Sequence, residues 1–442
     1  MDLPLTPPFA IRARLVTPLA TGRTYHEPDG LVQVDAAGRL EFVGAATARP
    51  SEAARAVDLR PWVVLPGMID THAHLPQLPN AGLGFALDLL RWLDRLTFPT
   101  ERSWSDPEVA DTLAPEIFRA FAAAGTTTVL AYGVVYEAAM DASFRAAEAH
   151  GIRAILGKVM MDRETYDPTI DPSSILERSL REAADLIARW HGAADGRLGY
   201  AVTPRFAISC TEDMLRESAA LARSTGTWWQ THVSEDPFEI AEVGRLFPDA
   251  IDYVDVYDRA GGLGDRAILA HGIHLSDREL SRLIDSDSHV SHCPASNLFI
   301  GAGVMPLARY LEAGLSVGLG SDVSGGPDAS MFSVMRAGAY AQMARRSLMG
   351  DDRPVLGPLD WLRLATLEGA LVLGLGDRIG SLEVGKDADL IAVDPAFVAS
   401  VTAHDDRDPE ELMSRLIFRA HPDMVRASWV RGRALDGPGS RG

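Results

Sequence analysis

Along the middle of this 442-residue chain, short apolar or β-branched runs alternate with amphipathic segments. Strands are predicted at 67–74, 126–132, 154–160, 199–205, 227–233, 267–272, 289–292 and 316–320. Alternation of this kind builds parallel strands joined by helical crossovers, an α/β arrangement. Eight strands over about 260 residues fit a (β/α)8 TIM-like barrel in number and length, and a doubly wound sheet is the weaker alternative. A barrel makes a demand on the sequence: catalytic groups have to gather at the C-terminal ends of its strands.

Both ends of the chain have another texture. Strands are predicted at 11–16, 30–34 and 39–43, the last two joined by the turn-forming Asp35-Ala36-Ala37-Gly38. Further strands are predicted at 387–394, after Glu383-Val384-Gly385-Lys386, and at 425–430. The termini are therefore expected to build one small β-sandwich module. Residues 1–66 and 377–442 would form it, with the barrel over 67–376.

Composition narrows the partners. The hydrophobic set makes up 47% and charged residues 23%, which is globular. Set against 61 acidic residues, 42 basic ones leave a net charge of −19, which repels phosphate backbones and anionic lipid surfaces. No polymeric nucleic acid and no membrane is expected as a partner. Asp2 stands where a secretory signal would carry positive charge, and no apolar run approaches the ~18 residues of a membrane span, so a cytoplasmic location is expected. Cys210 and Cys293 are too few for a disulfide framework, and neither sits in the paired spacing of zinc modules. Only Lys158 and Lys386 are lysines, which bears on the kind of metal site the chain can build.

The polar residues at predicted strand ends carry the candidate chemistry. His72 and His74 stand two apart at the end of the first strand, where a period of two points both side chains the same way. On its own a His-x-His pair is a weak signal. His232 ends the fifth strand and Glu235 follows three residues on, suited to carrying protons for a metal-activated water. Asp236-Pro237 reads as a helix start, so Glu235 has a structural reading too, as a carboxylate at a helix N-terminus. His271 ends the sixth strand and Asp322 the eighth, the latter as an oxygen ligand or a base that orients water. Singly, each could be a buried His bonded to backbone or an Asp capping a turn. Together they meet the barrel's demand. His26, His150, His191, His274, His404 and His421 are read as surface or structural, and His292-Cys293-Pro294 as a possible cavity lining.

This order of His-x-His, His-x-x-Glu, His and Asp resembles the amidohydrolase superfamily, in its mononuclear deaminase branch. The resemblance implies one Zn²⁺, or sometimes Fe²⁺, held by His72, His74, His232 and Asp322, with Glu235, His271 and Asp322 as catalytic groups. Binuclear members use a modified lysine at the end of the fourth strand, and neither lysine here falls there. The other zinc deaminase architecture, with H-x-E and P-C-x-x-C, is absent. Longer strings are similar to the guanine deaminase family: His72 to Gln77, Leu96 to Glu101, Val202 to Phe206 with Ser209-Cys210, His292 to Leu298 and Gly385 to Leu390.

By that resemblance Gln77, Arg205, Phe206, His232 and Glu235 contact a purine. An Arg fork matches the O6 and N7 acceptors of guanine, whereas adenine and cytosine offer an amino donor there. Phe206 can stack on the ring. Without the resemblance, an ion pair holding a barrel loop explains Arg205 equally well. Leu78 and Pro79 stand where animal members carry an aromatic, and Pro327-Asp328 replaces small or aromatic residues; both bear on substrate preference. The expectation is hydrolytic deamination of guanine to xanthine and ammonia, by a chain that the resemblance makes a homodimer. The alternatives are deamination or dechlorination of another heterocycle, such as a pterin, an oxidised guanine or a triazine, and, remotely, a scaffold without catalysis.

Overall fold

The computed structural model describes residues 3–167, 169, 171–399 and 408–437. His404 lies outside them. Among the described residues the strands fall into two sheets. The first comes from both ends of the chain: β1 (Phe9–Pro18), β2 (Thr24–Val34), β3 (Leu40–Ala45), β4 (Val57–Pro66), then, beyond the barrel, β14 (Leu390–Val393), β15 (Val425–Val430) and β16 (Arg433–Ala434). Its order is β16-β15-β14-β4-β1-β2-β3, so the two ends meet where β14 pairs with β4.

Strand β4 was not expected, because Pro61 in its middle argues against a strand with neighbours on both sides. The register explains how it fits. Pairing with β1 shifts between Asp58 and Val63, and pairing with β14 begins only at Val63, so Pro61 occupies a stretch from which neither ladder needs an N–H. Beyond it the alternation sorts the sheet's faces. Val64, Leu390 and Ala392 pack inside the terminal module, while Val63, Leu65, Ile391 and Val393 belong to the barrel's main core.

The barrel strands are β5 (Met68–His74), β6 (Thr126–Tyr132), β7 (Arg153–Gly157) continued as β8 (Val159–Met160), β9 (Leu198–Pro204), β10 (Trp228–Val233), β11 (Ala267–His271), β12 (His289–His292) and β13 (Val317–Leu319). They pair in parallel with neighbours in sequence order. Each matches an expected strand; the one at 154–160 is interrupted at Lys158, whose buried ammonium lies 3.2 Å from Glu182. β5 and β13 close the circle near their C-terminal ends. His72 O accepts from Asp322 N at 2.8 Å, and Val323 O accepts from His74 N at 2.9 Å.

Ile69, Leu130, Ile155, Ala201, Trp228 and Ile268, one from each of β5, β6, β7, β9, β10 and β11, form a single buried apolar cluster with Val372 and Ile379. This layer fills the barrel below the site, as in a packed TIM core. Polar side chains concentrate at the other end.

Candidate active site

His72 and His74 end β5, His232 lies near the end of β10, His271 ends β11, and Asp322 follows β13. All are buried. One donor atom from each of His72, His74, His232 and Asp322 lies within 4.8 Å of the others, and a second group, Glu235, His271 and Asp322, shares Asp322 with it. The backbone is unusual at three of these strand ends. Ser234, His271 and Asp322 have φ of 46°, 72° and 48°, left-handed values that a non-glycine residue adopts at a cost and that cluster at functional sites. Space is tight as well: a Cβ on Gly325 would stand 2.6 Å from Asp322 Oδ2, so glycine is needed beside the carboxylate.

The donor atoms fit a tetrahedral cation. Bonds of about 2.0–2.1 Å place tetrahedral ligands about 3.3–3.4 Å apart. Asp322 Oδ1 lies 3.1 Å from His72 Nε2 and 3.3 Å from His74 Nε2, while His74 Nε2 lies 3.2 Å from His232 Nε2. The His232 tautomer agrees with this: its Nδ1 donates to Arg205 O at 2.7 Å, which leaves Nε2 as a lone pair. Burial keeps the His232 imidazole well below its ordinary pKa, helped by the neighbouring histidines. Burial alone would raise the Asp322 carboxyl, but His72 and His74 hold it well below the usual range. Neutral imidazoles and an ionised carboxylate are the forms that bind a divalent metal.

Glu235 stands apart from the helix that follows it. Asp236 caps Pro237–Leu246, and Glu239 closes the capping box, accepting from the backbone N–H of Glu235 at 2.9 Å and of Asp236 at 3.2 Å. With those donors taken by others, the Glu235 carboxyl is free to face His271, whose Nε2 is 3.5 Å from Oε2. Burial pushes the Glu235 pKa well above the carboxylate range, and the charges of Glu239 and Asp322 push the same way. His271 is neutral: burial lowers it to about 4, and Nδ1 donates to Asn297 Oδ1 at 2.9 Å. Its Nε2 is therefore an acceptor aimed at the Glu235 and Asp322 carboxyls.

These groups open onto a cavity lined also by Leu89, Trp92, Leu93, Arg205, Phe206 and Ile300. Arg205 and Phe206 thus border the cavity, while Gln77 is fully buried at one remove. His292 borders a separate pit with Met305 and Gly338. His26, His150, His191, His274 and His421 lie outside the cluster.

Three residues here were not singled out from the sequence. Tyr132, on β6, packs its ring against His72, His74 and His232 with centroids 5.1, 4.7 and 4.8 Å away. Asn297 fixes the His271 tautomer. Glu101, fully buried, accepts from Gln77 Nε2 and from Arg205 Nη1, both at 2.6 Å. Asn297 and Glu101 fall within strings that carry the family resemblance, which was the only signal available for them.

Residues 63–435 match the Amidohydrolase family. A protein of Deinococcus radiodurans named "Probable guanine deaminase" is 39% identical over 414 residues, 91% of this chain and 92% of that protein. Guanine deaminase of Escherichia coli is 36% identical over 371 residues, 83% of this chain and 81% of its own length. The crystal structure of guanine deaminase from C. acetobutylicum with bound guanine in the active site superposes with a TM-score of 0.88 at 26% identity, covering 97% of this chain and 99% of the other. The chain belongs to the amidohydrolase family. Both of these relatives and the superposed crystal structure carry the name guanine deaminase, the first of them as probable.

Proposed function

We propose that this chain deaminates guanine hydrolytically, with water and guanine giving xanthine and ammonia, and that its metal is a single zinc ion per chain. The observation that carries this reading is one mouth of the barrel. There a four-donor cluster of tetrahedral spacing, the buried Glu235 and a cavity bordered by Arg205 and Phe206 meet, in a chain 39% identical to a protein named "Probable guanine deaminase".

His72, His74, His232 and Asp322 are the residues that would hold the metal, Fe²⁺ being the alternative to Zn²⁺. Such an ion, when bound, supplies a water acidic enough to act as a nucleophile near neutral pH. The rest of the work belongs to side chains. Glu235, facing His271 beside the donor cluster, takes a proton from the attacking water and passes it to the purine ring as C2 is attacked. A second proton, routed through the same carboxyl, lets the 2-amino group leave as ammonia. Neutral His271 accepts a hydrogen bond at Nε2 and so orients the incoming oxygen between Glu235 and Asp322. Arg205 donates to the O6/N7 edge, Phe206 covers a ring face, and Gln77, buried behind that wall, is assigned to the purine by the family resemblance.

A homodimer is part of the reading and rests on resemblance to the family. A cytoplasmic location is too, and the two buried free thiols, Cys210 and Cys293, accord with a reducing compartment. The test is a substrate panel. Zinc-loaded protein is incubated with guanine, adenine, cytosine, a pterin and a triazine while ammonia is measured. Release from guanine with formation of xanthine is expected; turnover of another heterocycle with none of guanine overturns the assignment.

A further inference from the structure

Glu101 comes from the segment Phe98–Ser103, outside the barrel strands, yet its carboxylate is fully buried. Each oxygen has its own donor: Gln77 Nε2 on Oε1 and Arg205 Nη1 on Oε2. The guanidinium also lies 5.3 Å from the centroid of the Phe98 ring, so Arg205 is gripped from two sides. A carboxylate in an ion pair accepts and has nothing to donate.

This constrains Gln77 more than Arg205. An amide side chain can rotate by half a turn and exchange its carbonyl and amino ends, and packing alone hardly distinguishes the two. An acceptor 2.6 Å away does: the amino end must face Glu101. Gln77 Oε1 is then left as a buried acceptor without a partner among the described residues. A buried acceptor in that state is costly until a donor reaches it. Arg205, with one amino group spent on Glu101, still has donors at the cavity wall.

We propose that Glu101 is a specificity-positioning residue: it fixes the Gln77 carbonyl as a hydrogen-bond acceptor and the Arg205 fork as a donor, so that together they select a ring edge with a carbonyl beside an N–H. This rests on the guanine reading above. Guanine presents that edge at O6 and N1–H. An adenine-type edge, an amino group beside a bare ring nitrogen, presents the reverse polarity and meets donor with donor.

The experiment compares guanine with 2-aminopurine, which carries the same reacting amino group at C2 but lacks the 6-carbonyl and the N1–H. The parental protein, Glu101→Gln and Gln77→Met are assayed for kcat and KM on both, with metal content and melting temperature recorded. A glutamine at position 101 can donate as well as accept, which releases the Gln77 amide to turn. Its guanine KM should rise about tenfold or more with kcat within about threefold, the pattern of lost binding rather than lost chemistry. The guanine to 2-aminopurine ratio of kcat/KM should narrow by a similar factor. Gln77→Met leaves the Glu101–Arg205 pair intact and should narrow the same ratio, so it decides the matter if Glu101→Gln does not fold. A purely structural Glu101 would lower the melting temperature and depress both substrates alike, and a parental ratio in either folded variant overturns the proposal. Parental protein that ignores guanine overturns the guanine reading and this proposal together; parental activity with an unchanged ratio overturns this one alone.

Discussion

Ser321 Oγ donates to Asp70 Oδ2 across 2.5 Å, joining the strand that carries His72 and His74 to the loop that carries Asp322. Asp70 Oδ1 adds the backbone N–H groups of Ser321 at 2.9 Å and His72 at 3.2 Å. One buried carboxylate thus holds the closure of the barrel and brings the strand of His72 and His74 to the loop of Asp322. Asp70→Ala leaves three donors without an acceptor and should lower stability by about 3 kcal/mol or more. It should also weaken metal retention about 10–100-fold, as loss of a group supporting the ligands does. Thermal unfolding and chelator competition measure the two effects. An unchanged melting curve would mean that the backbone pairs of β5 and β13 suffice.

The metal cluster predicts stoichiometry. Elemental analysis should find about one divalent ion per chain, because four donors complete one tetrahedral site. His232→Ala should lose the ion while circular dichroism stays that of the folded barrel, since the apolar layer below the site does not involve His232. Chelation of the parental protein should lower its melting temperature and zinc should restore it, binding to the folded state alone being stabilising. Two tightly held equivalents in active protein would overturn the mononuclear site.

How much of this was legible in the chain follows from the range of each signal. Strand ends were, because apolar runs mark strands and a barrel collects polar groups at one end of them; His72, His74, His232, His271 and Asp322 were found that way. Glu235 was ambiguous in sequence, since it precedes a real helix start. In the fold Glu239 takes the backbone N–H groups of Glu235 and Asp236, and the Glu235 carboxyl faces His271. Strand β4 was hidden by Pro61, whose place in a register shift no local pattern announces. Glu101 and Asp70 were hidden for a related reason. Their roles depend on partners 104 and 251 residues away, Arg205 and Ser321, and the side chains meet only in the folded chain.

Glu235→Gln separates proton transfer from metal binding. The amide keeps the volume and hydrogen-bonding reach of the acid but cannot give and take protons in turn. Metal content should stay near one equivalent while kcat falls by about 10²–10⁴-fold. Loss of the metal in this variant would show instead that Glu235 is a ligand.

Arg205 joins the two halves of the site, and its two functions can be pulled apart. Its backbone O accepts the Nδ1–H of His232 at 2.7 Å, which orients a member of the four-donor cluster; its side chain, paired with Glu101, borders the cavity. A side-chain substitution spares the first function, so Arg205→Lys and Arg205→Ala should both keep their metal. An ammonium is a point charge that cannot hold Glu101 with one arm and a purine edge with another, so Arg205→Lys should recover only part of the parental affinity. Arg205→Ala should lose about 1–3 kcal/mol of kcat/KM on guanine, the cost of leaving a buried acceptor edge without its donor, and more if Glu101 is left as an unpaired buried charge. Steady-state kinetics with metal analysis on the same preparations reads both effects. Parental kcat/KM in Arg205→Ala would place purine recognition elsewhere in the cavity, with the apolar wall of Trp92, Leu93 and Ile300 the next residues to test.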